Sequence, residues 1–155
     1  MPKIISLYLD VCCLNRPFDD WRQARIRLEA EVILEILNRC QTTDWQLISS
    51  FALVAEIKRT PNLNRRQQVL AALDIAARTI EMTPAIVSRA QELVQRGIKG
   101  FDALHLACAE QGQVDILLTT DDRLLRQAAS IALTVPIANP LTWFINAEQA
   151  NGEDL

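Results

Sequence analysis

The sequence predicts a three-layer α/β domain, a central and mainly parallel sheet flanked by helices. Two apolar runs, Ile4 to Leu9 and Val114 to Thr119, are nearly continuous rather than alternating, as strands covered on both faces read. Between such runs lie longer segments whose apolar residues recur at three- and four-residue steps, the period of amphipathic helices. Alternation of the two kinds of element along one chain places helices over a parallel sheet.

The elements follow in order. The first strand, Ile4 to Asp10, is apolar until it stops on a carboxylate, so Asp10 is expected at the carboxyl edge of the sheet, where α/β folds bind ligands. Asn15, Pro17, Asp19 and Asp20 read as a turn-rich connection, with Asp19 or Asp20 capping the next helix. That helix runs from Trp21 to about Cys40 on Ile26, Ala30, Ile33 and Leu37. Trp45 to Ser49 is a second strand, and Ser50 caps a helix carrying Leu53, Val54, Glu56 and Ile57 that stops near Thr60 and Pro61. Asn64 to Arg78 is a further helix, and Thr79 to Met82 a short strand.

Thr83 and Pro84 open another helix as cap and first-turn proline, and Gly97 closes it. A helix rich in small residues follows from Gly100 to near Gly112, with Asp102 in its first turn, where the helix dipole favours negative charge. The strand from Val114 to Thr119 leads into Asp121 and Asp122, and Leu124, Leu125, Ala128 and Ala129 line the next helix. Ile131 to Ile137 reads as an edge strand, because Pro136 cannot donate to a ladder, and Thr142 as the cap of a short final helix.

The chain's 155 residues suffice for one domain, 1–149, followed by a tail over 150–155 that should fray. The longest apolar stretch, Ile4 to Leu14, is broken by Ser6 and Asp10 and is too short to span a bilayer. With no leader-peptide pattern before it, a cytoplasmic protein without a membrane partner is expected. Cys12, Cys13, Cys40 and Cys108 show no CxxC spacing and read as reduced thiols. A net charge of -3 argues against binding nucleic acid by bulk positive charge, so any such ligand needs cations to offset the repulsion.

If the first strand and that starting at Val114 are parallel neighbours, Asp10 and Asp121 reach one edge of the sheet, and helices add Asp102 and Glu56. Carboxylates crowded in one cleft repel and raise one another's pKa unless a cation lies among them. Oxygen ligands suit Mg²⁺ or Mn²⁺, ions that activate water and stabilise the oxygens of a phosphodiester. Singly, each acid has a plain reading as turn residue, dipole-complementing acid or solvated helix acid; their convergence is what points to chemistry.

His105 reads as a buried, hydrogen-bonded histidine, since His105 with Cys108 supplies only two zinc ligands. Arg16, Arg22 and Arg25 near the first loop, and Lys58, Arg59, Arg65 and Arg66 further on, are either phosphate contacts or a solvated basic rim. Of Trp21, Trp45 and Trp143, at least two read as packing residues rather than base-stacking platforms.

Leu9-Asp10 with the loop from Asn15 to Asp20, Glu56 within Leu53 to Ile57, Asp102-Ala103-Leu104-His105-Leu106-Ala107, and Leu118-Thr119-Thr120-Asp121 together resemble the PIN domain family. The ordered set spans essentially the whole chain. Many small prokaryotic members are toxin ribonucleases of type II toxin–antitoxin pairs. The resemblance implies a divalent-metal-dependent endoribonuclease, with Asp10 and Asp102 as principal ligands of Mg²⁺ or Mn²⁺. Glu56 would be a ligand or orient a water, and Asp121 would complete the site directly or through water. Thr119 matches the threonine of the family's Thr-x-Asp pattern and would support the site, with Asp122 as the substitute for Asp121. Of the basic residues read above as phosphate contacts or solvated rim, Arg16, Arg22, Lys58 and Arg59 are the candidates for contacts to such an RNA. A cognate antitoxin laid across the cleft and a homodimer are implied as partners.

One position departs from the pattern. Cys12 stands where many members carry Ser or Asn, and a thiol is a poor partner for a hard cation. Two rival readings follow from the same residues: an inactive PIN-like module that binds RNA or protein, and a phosphate-ester hydrolase with Asp10 as nucleophile. The second is disfavoured because Cys12 removes the DxD arrangement.

Overall fold

Strand β1 (Ser6–Leu9) occupies the centre of a five-stranded sheet in the protein's computed structural model, which describes residues 4–153, with side chains over 4–150. The other strands are β2 (Gln46–Ser50), β3 (Arg78–Ile80), β4 (Ile116–Leu118) and β5 (Ile137–Ala138). They lie in the order β3-β2-β1-β4-β5, and every pairing is parallel. Eight helices flank the sheet among the described residues: α1 (Val11–Asn15), α2 (Ala24–Thr42), α3 (Phe51–Lys58), α4 (Leu63–Leu73), α5 (Pro84–Gln95), α6 (Gly100–Gln111), α7 (Asp122–Ala129) and α8 (Pro140–Glu153). None of them is long and apolar enough to cross a membrane.

Burial explains the continuous apolar runs. Leu7, Tyr8 and Leu9 of β1 are fully buried, as are Leu117 and Leu118 of β4, because helices cover both faces. Helix α2 contributes Ala30, Ile33 and Ile36 to the core, and α6 contributes Ala103, Leu106 and Ala107. Small residues on α6 let α3 and α5 pack closely against it.

Local signals place most boundaries. Ser50 Oγ accepts the Leu53 amide at 3.1 Å and caps α3, and Thr83 Oγ1 accepts the Ile86 amide at 3.2 Å with Pro84 at the first helical position. Gly97, at φ +99°, takes the left-handed conformation that ends the α5 region.

Five expectations need correction. The segment after Asp10 is helical rather than a loop: the Asp10 carboxylate caps α1, and a single 3₁₀ turn (Arg16–Phe18) follows. Neither Asp19 nor Asp20 caps α2, which begins at Ala24 without a side-chain cap; Asp20 is held instead by Arg22. Helix α4 stops at Leu73 rather than Arg78, because Ala77 donates to Leu47 O at 2.8 Å and Arg78 pairs with Ile48, so the sheet claims residues whose periodicity looked helical.

The last strand shrinks to Ile137–Ala138, at the edge as expected, while the Glu110 carboxylate ties Thr134 into the loop before it. Helix α8 begins at Pro140, and Asn139 rather than Thr142 supplies the cap, its Oδ1 accepting the Leu141 amide at 2.8 Å. The frayed tail expected over 150–155 falls largely outside the described residues.

Candidate metal centre

Register brings the first pair of site residues together. Leu9 pairs with Leu118, so the next residues along the two strands, Asp10 and Thr119, stand side by side at the carboxyl edge. Thr119 Oγ1 donates to Asp10 Oδ2 at 2.9 Å, and the Val11 amide donates to Oδ1 at 2.8 Å. Cys12 adds a weak thiol donor at 3.4 Å from Oδ2, so it helps to hold the carboxylate even though it suits no hard cation. Asp10 is buried, and its orientation is fixed on both oxygens.

Glu56 arrives from α3 and His105 from α6, helices that pack on each other. His105 Nε2 lies 2.6 Å from Glu56 Oε1 and 3.9 Å from Asp10 Oδ1. The other ring nitrogen, Nδ1, lies 2.7 Å from the Tyr8 hydroxyl, which lies 2.6 Å from Ser50 Oγ. Because Ser50 Oγ already accepts the Leu53 amide, one assignment satisfies every atom: Ser50 donates to Tyr8, Tyr8 to Nδ1, and Nε2–H to Glu56. Burial raises the Tyr8 hydroxyl pKa well above its ordinary value, keeping it a donor.

Oxygens of Asp10 and Glu56 and a ring nitrogen of His105 all lie within 4.8 Å of one another. Asp102, three residues before His105, borders this group. Its carboxyl is pushed up to about 6, first by burial and then by the negative charges of Asp10, Asp121 and Glu56, with His105 acting in the opposite sense. Asp121 is exposed and caps α7, its Oδ1 accepting the Arg123 and Leu124 amides at 2.9 and 3.2 Å, while its own amide donates to Thr119 Oγ1 at 3.1 Å.

The model of the PIN domain covers residues 7–130. The chain belongs to the PIN domain family. Among solved structures, this PIN domain resembles FitAcB from Neisseria gonorrhoeae at 18% identity and a TM-score of 0.57, covering 86% of this chain and 97% of that one. VapBC2 from Rickettsia felis, bound to a DNA fragment from its promoter, matches at 14% identity and a TM-score of 0.53 over 87% and 98% of the two chains. PAE2754 from Pyrobaculum aerophilum matches at 13% identity and a TM-score of 0.53 over 94% and 90%. Such likeness shows a shared fold. Among curated proteins none matches the sequence.

Other singled-out residues sort by their partners. Asp122 does not face the acids: both its oxygens pair with Arg25 at 2.8 Å. Arg16 is engaged with Asp19 and with Glu29, which is buried, and Arg65 with Asn15, Asp19 and the Phe18 carbonyl, so these guanidiniums tie the α1–α2 connection down. Arg22 is exposed and pairs with Asp20. Lys58 is exposed, and Arg59 extends over the Phe101 ring at 5.6 Å.

Trp45 and Trp143 pack together at 5.5 Å beside Arg39, with Trp45 preceding β2 at the edge of the sheet opposite Asp10. Trp21 donates to the Pro17 carbonyl at 3.0 Å. The sequence reading correctly gave His105 as buried and hydrogen-bonded, but missed Tyr8 and Ser50 as its supports. The one local signal was a phenol inside an otherwise apolar strand, which requires a buried partner.

Proposed function

We propose that this PIN domain is a divalent-metal-dependent endoribonuclease, acting in the cytoplasm as the toxin of a toxin–antitoxin pair. The observation that carries the reading is the gathering of Asp10, Glu56 and His105 within 4.8 Å beside an Asp102 whose carboxyl is pushed up to about 6 by burial and neighbouring carboxylates. Such a cluster concentrates carboxylates, and its donors are mainly hard oxygens, which fits Mg²⁺ or Mn²⁺. Asp10, Glu56 and Asp102 would hold the ion, with Asp121 completing the site directly or through water. When bound there, the ion supplies charge neutralisation at the phosphodiester and activation of the attacking water.

The chain's own residues prepare that geometry. Thr119, Cys12 and the Val11 amide orient Asp10, and His105, held by Tyr8, orients Glu56. Fixed carboxylates at a strand edge and on a packed helix need little reorganisation when substrate arrives. The shared fold with FitAB and VapBC, which are toxin–antitoxin complexes, supports an antitoxin partner, and a homodimer is the proposed assembly.

Calorimetric titration of Mn²⁺ into wild type and Asp10→Asn, with single-stranded RNA cleavage followed in the same samples, tests this reading. The expected result is loss of both binding and cleavage in the folded variant. A folded wild type that binds no metal and cuts no RNA would overturn it in favour of the inactive binding module.

A further inference from the structure

Beside the acids lies a recess of about 420 Å³ lined by Val11, Glu56, Arg59, Thr60 and Phe101. Glu56 forms part of both, so whatever fills the recess sits next to the metal centre. The size is within the range of small-ligand pockets. Arg66 donates to the Thr60 carbonyl in two bonds of 3.0 and 2.7 Å, and the His105 ring lies nearly parallel to Phe101 at 24°, with the ring centroids 6.2 Å apart.

The chemistry of the lining is specific. Phe101 is half-buried, with the Arg59 guanidinium at 5.6 Å above its ring, wider than direct stacking contact. Arg59 is exposed, and among the described residues no carboxylate lies within ion-pair distance of it, whereas Arg16, Arg25 and Arg65 all have acidic partners. An aromatic face and an unpaired guanidinium next to a cation site make the pair that single-stranded nucleic acids use, one for a base and one for a phosphate.

We propose that this recess is a nucleotide subsite, in which an unpaired base of the RNA strand stacks on Phe101 while Arg59 swings outward to the neighbouring phosphate. The inference rests on the ribonuclease reading and adds to it the position of the nucleotide flanking the cleaved bond. A base stacked on an aromatic ring outweighs the exposed cation–π contact that it displaces. The guanidinium then gains a charge-assisted bond to phosphate.

The test is fluorescence-anisotropy binding of a short labelled single-stranded RNA to the full chain in EDTA, where cleavage cannot proceed. Phe101→Leu keeps the apolar bulk and should weaken binding about tenfold, and Phe101→Tyr should restore it. Arg59→Gln should weaken binding and reduce the slope of log affinity against log salt by about one. An abasic strand of equal length should bind wild type as weakly as RNA binds Phe101→Leu, a comparison that depends on no variant folding.

Equal affinity of wild type for the abasic and normal strands, or of Phe101→Leu and wild type for RNA, overturns the subsite. If Mn²⁺-supported cleavage persists in that case, the ribonuclease reading stands without it. A wild type that neither binds nor cuts RNA removes both.

Discussion

His105 Nε2 lies 2.6 Å from Glu56 Oε1, a bond between two helices that converts a buried hydrogen-bond chain into control over one carboxylate of the candidate metal centre. Behind it the Tyr8 hydroxyl fixes the other ring nitrogen. Tyr8→Phe removes that hydroxyl and leaves Nδ1 buried without a partner, at a cost of about 1–3 kcal/mol. The expected result is a lower urea midpoint with an unchanged m-value, together with weaker Mn²⁺ binding. Wild-type metal affinity in a destabilised Tyr8→Phe would show that the chain serves folding alone.

Asp102 makes stability depend on pH. Its folded pKa of about 6 exceeds the ordinary 3.8, so the protonated form is favoured by folding; the contribution is full below pH 3.8 and is lost as pH rises through about 6. Asp102→Asn carries no such charge. In metal-free buffer at neutral pH the variant should melt about 2–4 °C above wild type, for about 1 kcal/mol after solvent screening of a partly exposed group. Near pH 4 the two should converge, and Mn²⁺ should raise the melting temperature of wild type only. A difference independent of pH would contradict the electrostatic account.

Glu29, at 1% exposure, accepts from Arg16 Nε at 2.9 Å, Arg25 Nε at 3.2 Å and Asn139 Nδ2 at 2.8 Å. Arg25 in turn holds Asp122 and the Thr120 carbonyl, next to Thr119 and Asp121. Glu29→Ala should therefore cost about 2–4 kcal/mol in equilibrium denaturation, since it strands the donors of a buried network. Arg22→Gln, at a pair whose arginine is 90% exposed, should leave the denaturation midpoint unchanged.

Gly112 ends α6 where there is no room for a side chain. A Cβ there would meet Ile80 Cδ1 at 2.4 Å and the Cys108 carbonyl oxygen at 3.1 Å. Gly112→Ala should destabilise by about 1–3 kcal/mol through overpacking. Adding Ile80→Val removes the nearer atom and should recover part of the loss; strict additivity of the two changes would refute the steric explanation.

The sequence by itself determined the fold class, the alternation of elements, the caps at Ser50 and Thr83, and the arrival of Asp10 at a sheet edge. These depend on periodicity and on bonds between residues a few positions apart, so the local pattern carries them. It also singled out Glu56, Asp102 and Asp121 through the ordered motif. Tertiary structure alone decided which of these meet. Asp10 and Thr119 are 109 residues apart, and Glu56 and His105 are 49 apart. Their contacts require the strand order and the packing of α3 on α6.

The same applies where local reading erred. The end of α4 and the start of β3 were settled by a bond from Ala77 to Leu47, across thirty residues, in which sheet pairing overrode helical periodicity. Likewise Arg16 and Asp122, plausible for RNA or metal by position, were claimed by Glu29 and Arg25. A charged side chain's role follows from its nearest partner in space, and the chain fixes that partner only once it has folded.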